Sequence, residues 1–173
     1  MDSTLARRVY DASHLTGSFR LRSGQISSEY FDKYLFESDP RLLHDVADAM
    51  TALLPPCDLL AGMELGGIPI ATMMSQLTGI PTIFLRKQAK DYGTCKAAEG
   101  PSVLEKRVVI IEDVVTTAGA LLDACPLLRA EGALVDVVVC AIDRQQGGSE
   151  RLLEVGLELR PALTREALES AIS

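Results

Sequence analysis

Apolar residues fall along this chain in two rhythms. Through residues 3–14, and again from Asp39-Pro40 to about Leu54, they return every third or fourth position, which predicts amphipathic helices. Proline suits the first turn of the second. Four other stretches, residues 57–63, 81–85, 107–111 and 134–142, are short and almost unbroken apolar runs, the pattern of strands buried on both faces. Helical patterns lie at 69–77 and 117–130, and 165–171 closes the chain as a helix. Residues 19–22 and 30–34 alternate like a short hairpin about Ser23-Gly24. Strands alternating with helices at this spacing predict an α/β fold, a Rossmann-like parallel sheet flanked by helices, with right-handed crossovers. Pro126 falls inside one predicted helix and should kink or shorten it.

With 173 residues and no repeats or breaks in composition, the chain fits one domain, 1–173, with a sizeable core. No apolar run is long enough to span a bilayer, and the N-terminus lacks the apolar segment of a secretory signal. The expectation is a cytoplasmic protein with no membrane partner. Cys57, Cys95, Cys125 and Cys140 are widely spaced, with no C-x-x-C pair, which argues against zinc or a disulfide framework. Cys57, Cys125 and Cys140 sit in apolar stretches and are expected in the core, whereas Cys95 lies in a polar loop.

A net charge of −7 and a pI of about 4.8 disfavour nucleic acid as a partner. Against that acidic background one segment is basic: Arg86, Lys87, Lys90 and Lys96 face only Asp91 within eleven residues. It opens a stretch, 87–103, with no clear period. A long loop of that kind in a compact domain is a functional lid or is disordered, and clustered cations there suit an anionic ligand.

The most informative stretch is 108–120, Val-Val-Ile-Ile-Glu-Asp-Val-Val-Thr-Thr-Ala-Gly-Ala. A buried strand here delivers Glu112 and Asp113 to its carboxyl end, where open parallel sheets bind ligands. The turn at 116–120 then offers hydroxyls, backbone N–H groups and a helix N-terminus, the makings of a phosphate site. A ribose phosphate satisfies both halves: carboxylates accept from the 2′ and 3′ hydroxyls while the turn holds the 5′-phosphate. The plainer alternative is a solvated acidic pair and an ordinary helix cap. After the first strand comes Gly62-Met63-Glu64-Leu65-Gly66-Gly67-Ile68-Pro69, whose glycines allow close backbone approach. After the fourth comes Asp143-Arg144, where a guanidinium fork could grip a carboxylate. Tyr30 and Phe31, near Arg22, could flank a flat base, or simply pack.

The acid pair and Thr/Gly-rich turn resemble the PRPP-binding motif of type I phosphoribosyltransferases. Over roughly residues 15–150 the chain resembles the orotate phosphoribosyltransferase family, whose segments occur in order: Gly17-Ser18-Phe19…Ser23-Gly24, Gly66-Gly67-Ile68-Pro69, Arg86-Lys87-x-x-Lys90-x-x-Gly93, the PRPP motif and Asp143-Arg144-x-x-Gly147. The resemblance implies a type I phosphoribosyltransferase fold with a small N-terminal hood, residues 1–36. It implies transfer from PRPP to orotate, with Mg²⁺ bound mainly through PRPP and pyrophosphate. It also implies a homodimer in which the 87–103 loop reaches the neighbouring site.

Residue by residue, it assigns Arg86, Lys87, Lys90 and Tyr92 to PRPP and its pyrophosphate, with Glu64, Leu65, Gly66 and Gly67 as the pyrophosphate turn. Glu112 and Asp113 match the ribose ligands, and Val114, Val115, Thr116, Thr117, Ala118, Gly119 and Ala120 the phosphate loop. Thr116 and Arg144 match orotate contacts, beside Arg22, Tyr30 and Phe31. Lys90, Arg86, Glu112 and Asp113 are the expected catalytic set. The chain departs from the family at Gly66, often lysine, at Tyr92, often histidine, and at Ala118 and Ala120. Alternatives within reach of the same motifs are a phosphoribosyltransferase for another base and a non-catalytic PRPP-binding regulator.

Overall fold

The computed structural model describes residues 3–20, 24–86 and 98–172. Helix α1 (Ser3–Ser13), the antiparallel strands β1 (His14–Arg20) and β2 (Ile26–Phe31) and the short helix α2 (Lys33–Ser38) form an N-terminal hood. The rest alternates: α3 (Pro40–Thr51), β3 (Leu59–Met63), α4 (Gly67–Thr78), β4 (Thr82–Leu85), β5 (Ala98–Glu99), β6 (Arg107–Val115), α5 (Gly119–Ala130), β7 (Leu134–Asp143), α6 (Gly148–Glu154), β8 (Glu158–Thr164) and α7 (Arg165–Ser170). The large sheet runs β5-β4-β3-β6-β7-β8, and only the β4–β5 pair is antiparallel. No helix among the described residues is long and apolar enough to cross a membrane.

Alternation along each strand builds two cores, because successive side chains leave a strand on opposite faces. Val108 and Ile110 of β6 pack with Leu121, Cys125 and Leu128 of α5. Val109 and Ile111 face the other way, among Val46 and Met50 of α3 and Ile70 and Met74 of α4. Phe36 of α2 is fully buried in this second core, so it fastens the hood to the sheet.

Several boundaries differ from the sequence pattern. The strand expected over 107–111 continues to Val115, taking Glu112 and Asp113 inside it. The strand expected over 30–34 stops at Phe31, because the Asp32 side chain accepts from Tyr34 N–H and caps α2. The helix opened by Asp39, which accepts from Arg41 and Leu42 N–H, ends at Thr51 rather than Leu54. Helix α5 runs through Pro126 to Ala130 and is not shortened. Pro126 lies on its exposed face, where water can satisfy the carbonyl that the missing N–H leaves. Within 87–103, residues 98–99 form an edge strand, and Ala98 and Val103 are buried. Cys125 and Cys140 are core residues but Cys57 is only half-buried. Cys95 and Lys96 lie outside the described residues.

Burial of Phe36 sets a measurable expectation. Phe36→Ala should lower unfolding stability by about 3 kcal/mol or more, read from urea denaturation. Leu127→Gln, at a side chain 42% exposed on α5, should stay within about 0.5 kcal/mol of the parent.

Candidate active site

Strand order reverses at the β3–β6 junction: from β3 the chain adds β4 on one side, then returns to place β6 on the other. Ligands of open α/β sheets bind outside the carboxyl ends of strands at such a switch point. The turn after β3, residues 64–66, therefore faces the acid-bearing end of β6.

Glu112 and Asp113 are both buried, and they leave the strand on different sides. Glu112 lines a small cavity of about 80 Å³ formed with the 116–120 turn. Asp113 turns to the hood, where Lys33 Nζ lies 2.5 Å from its Oδ2. The pair remains linked, since Asp113 N–H donates to Glu112 Oε1 at 3.1 Å. Burial would raise the Asp113 pKa, but hydrogen bonds from Glu112 and Lys33 and the Lys33 charge hold it below the ordinary aspartate value. Lys33 is pulled down by burial and pushed up more by Asp113, so its ammonium is reinforced. Burial, then the neighbouring Asp113, raises Glu112 well above the usual glutamate range.

Lys33 and Glu37 are site residues that the sequence reading missed. Glu37 is buried, and its burial together with the Asp113 charge lifts its pKa to about 8. The available signal was their spacing: an aspartate cap followed by Lys33 and Glu37 four apart puts both on one helix face. These two, with Gly66, explain how the turn after β3 fits. A Cβ on Gly66 would overlap the Asp113 carboxylate and come within 2.7 Å of Glu37 Oε1. One on Gly67 would overlap the Ile111 carbonyl oxygen. A lysine stem at 66 has no room here, and the cation beside Asp113 comes from the hood instead.

At the phosphate turn Ala118 takes φ 59°, the left-handed conformation that favours glycine, and no side chain caps α5. The first N–H groups of that helix therefore remain available to an anion. Arg151 of α6 donates to the Thr117 carbonyl and steadies the turn from behind.

A larger cavity of about 850 Å³ lies between hood and sheet, lined by Tyr30, Phe31, Lys33, Val114, Thr116 and Arg144 among others. Val114 and Thr116 also line the small cavity, so the two meet there. The Arg144 guanidinium carbon sits 5.5 Å from the Phe31 ring centre, within cation–π range. Its Nε is buried with no hydrogen-bond partner among the described residues, a donor waiting for an acceptor. Arg86 emerges from β4 and pairs with Glu99 at 3.3 Å, one strand beyond β3. Arg22, Lys87, Lys90 and Tyr92 lie outside the described residues. Among the described residues no group of three or more His, Cys, Asp or Glu side chains converges as a metal site.

Buried acids beside an uncapped helix start at a switch point are the parts that a sugar phosphate would need. Residues 55–154 match the phosphoribosyl transferase domain, and the chain belongs to that family. A relative from Nocardioides sp., an orotate phosphoribosyltransferase, is 60% identical over 99% of this chain and 96% of its own. Orotate phosphoribosyltransferase from Mycobacterium tuberculosis, solved with Fe(III) dicitrate, superposes with a TM-score of 0.86 at 29% identity, covering 96% of this chain and 97% of that one. Its complex with PRPP gives 0.81 at 26% identity, with 96% and 98% covered. Within the phosphoribosyltransferases, the chain belongs to the orotate phosphoribosyltransferases.

The Glu37 carboxyl predicts a pH dependence. Its folded pKa of about 8 lies above the ordinary 4.5, so across that window the folded chain keeps a proton that the unfolded one releases. Stability from this group is complete below 4.5 and falls as pH rises towards 8. Glu37→Gln should match the parent at the acid end and become the more stable protein at the alkaline end, as read by urea midpoints across pH.

Proposed function

We propose that this chain transfers the phosphoribosyl group of PRPP to orotate, giving orotidine 5′-monophosphate and pyrophosphate in the de novo synthesis of UMP. The observation that carries this reading is the buried Glu112–Asp113 pair running directly into an uncapped helix start, with Arg144 across the adjoining cavity.

Glu112 and Asp113 are the ribose acids of this reading: Glu112 lines the cavity beside the phosphate turn, and Asp113, behind Lys33, keeps the negative charge that favours a positive anomeric carbon as its bond to pyrophosphate lengthens. Backbone donors of residues 116–120 fix the 5′-phosphate. The turn at 64–67 lies along the leaving group, which the Arg86, Lys87 and Lys90 cations neutralise. Arg144 grips the orotate carboxylate over Phe31 and so aims the ring nitrogen at the anomeric carbon, an orientation effect. Mg²⁺, when bound through the substrate phosphates, would add neutralisation of the pyrophosphate charge. A hard cation of this kind keeps waters and binds through substrate phosphates rather than an all-protein cage. The working unit is a cytoplasmic homodimer in which the cationic part of the 87–103 stretch, ahead of β5, serves the neighbouring site and excludes water that would trap the sugar cation.

Protein mixed with Mg²⁺, PRPP and orotate should consume orotate, followed by its absorbance. No loss with orotate, but turnover of another base, would reassign the acceptor. PRPP binding without pyrophosphate release with any base would make the chain a regulator. Arg144→Ala should lower kcat/KM for orotate roughly a hundredfold, about 2.7 kcal/mol, chiefly through KM. Lys90→Ala should instead lower kcat by about a hundredfold and leave orotate affinity near the parent value. Equal turnover in that variant would reject the lid role.

A further inference from the structure

Lys33 stands between the acid pair of β6 and the cavity that holds Arg144. Its Nζ contacts Asp113 Oδ2 at 2.5 Å, and the same side chain lines the base-side cavity with Arg144, Thr116 and Phe31. About a third of it is exposed to that cavity, whereas the Asp113 side chain is 1% exposed and is covered by it. An ammonium has three donors, and one carboxylate oxygen, Asp113 Oδ2, lies in ion-pair contact with it. The other charged groups around it are acidic, Glu112 and Glu37 with Asp32 nearby, and the Tyr34 ring lies 5.3 Å from Nζ. Hood residues hold it in place: Asp32 caps α2 one position earlier and Phe36 buries the helix.

We propose that Lys33 is a further catalytic residue of the transfer, its ammonium facing the acceptor ring at the reacting nitrogen and stabilising the ring anion that attacks. This rests on the orotate reading. Orotate N1 must give up its proton, to solvent, before attack. The N1 electron pair then forms the bond to C1′ while the C1′–O bond breaks and its pair leaves on pyrophosphate. Arg144 can neutralise the carboxylate but serves the substituent; the second negative charge, on the ring, needs its own cation. Lys33 is placed to supply it while remaining paired with Asp113. A preorganised cation at a developing or transient anion is the usual source of large electrostatic effects in a water-poor site.

The test compares two acceptors at saturating PRPP and Mg²⁺, orotate and 5-fluoro-orotate, whose ring N–H is the more acidic. Lys33→Met should lower kcat/KM about a hundredfold with orotate and about tenfold with the fluorinated acceptor, while PRPP binding is not weakened. Lys33→Arg should keep the parental ratio between acceptors. Because the readout is a ratio within one protein, a fraction of misfolded enzyme cancels. Lys33→Gln, which retains a hydrogen bond to Asp113, gives the same ratio test should the methionine variant fail to fold. Equal losses for both acceptors would overturn the proposal and reduce Lys33 to a structural partner of Asp113. A parent protein that turns over neither acceptor would overturn the orotate reading first.

Discussion

Carboxylates lose several kcal/mol of hydration when they leave water, and only cations and hydrogen bonds in good geometry return it. Here Glu37, Glu112 and Asp113 are buried together, and one ammonium, Lys33, contacts Asp113. The cluster resolves the conflict by splitting roles. Asp113 keeps its charge opposite Lys33, while Glu37 and Glu112 are driven towards their neutral forms by burial and by Asp113 itself. Much of the remaining architecture follows from holding that cluster still. The hood must be fastened by Phe36 to deliver Lys33, and the turn after β3 must lack a side chain at 66 to pass beside it.

Rigid and adaptable parts are divided accordingly. Both acids ride on a strand hydrogen-bonded on two sides, with Ile111 opposite Gly62 and Glu112 opposite Cys140. Their spacing to the phosphate turn is thereby fixed by backbone geometry rather than by side-chain rotamers. Thr116 is in turn backed by Gly148, whose missing side chain lets α6 approach its carbonyl. Preorganisation of this kind is what makes charge stabilisation effective, because nothing has to reorient when the sugar cation forms.

The parallel sheet was legible because strands buried on both faces must be written as unbroken apolar runs, as at Val108 to Ile111. The acid pair, the phosphate turn and Arg144 were legible because polar groups at the ends of such runs stand out. What stayed hidden has physical reasons. β8 carries Arg160 and Pro161, a pattern that argues against a strand, yet it sits at the sheet edge, pairs only with β7, and so tolerates proline. The two-residue β5 spans too few residues for any period to register. Lys33 and Glu37 look like a solvated pair on a surface helix; their burial depends on the hood folding back over β6, a long-range contact that local pattern does not encode.

That long-range contact also divides the labour between the general and the particular. The family-wide domain match spans residues 55–154, which contain the acids, the phosphate turn, the turn at 64–67 and Arg144. Tyr30, Phe31 and Lys33 lie before it, in the hood, and face the large cavity. The sugar phosphate is common to every reaction of the family, so the sheet edge that holds it can be shared. The acceptor base is what differs, and it must be recognised by something added to that edge. In the proposed reaction Arg144 takes the carboxylate substituent, but it emerges from the sheet and reaches the cavity from one side only. The hood supplies an aromatic wall and a second cation to the same cavity, through the lysine that pairs with Asp113. If Lys33 serves the ring as proposed, acceptor choice and sugar activation are joined at one ammonium, and a base unable to present an anion there would leave that charge poorly used in the transition state.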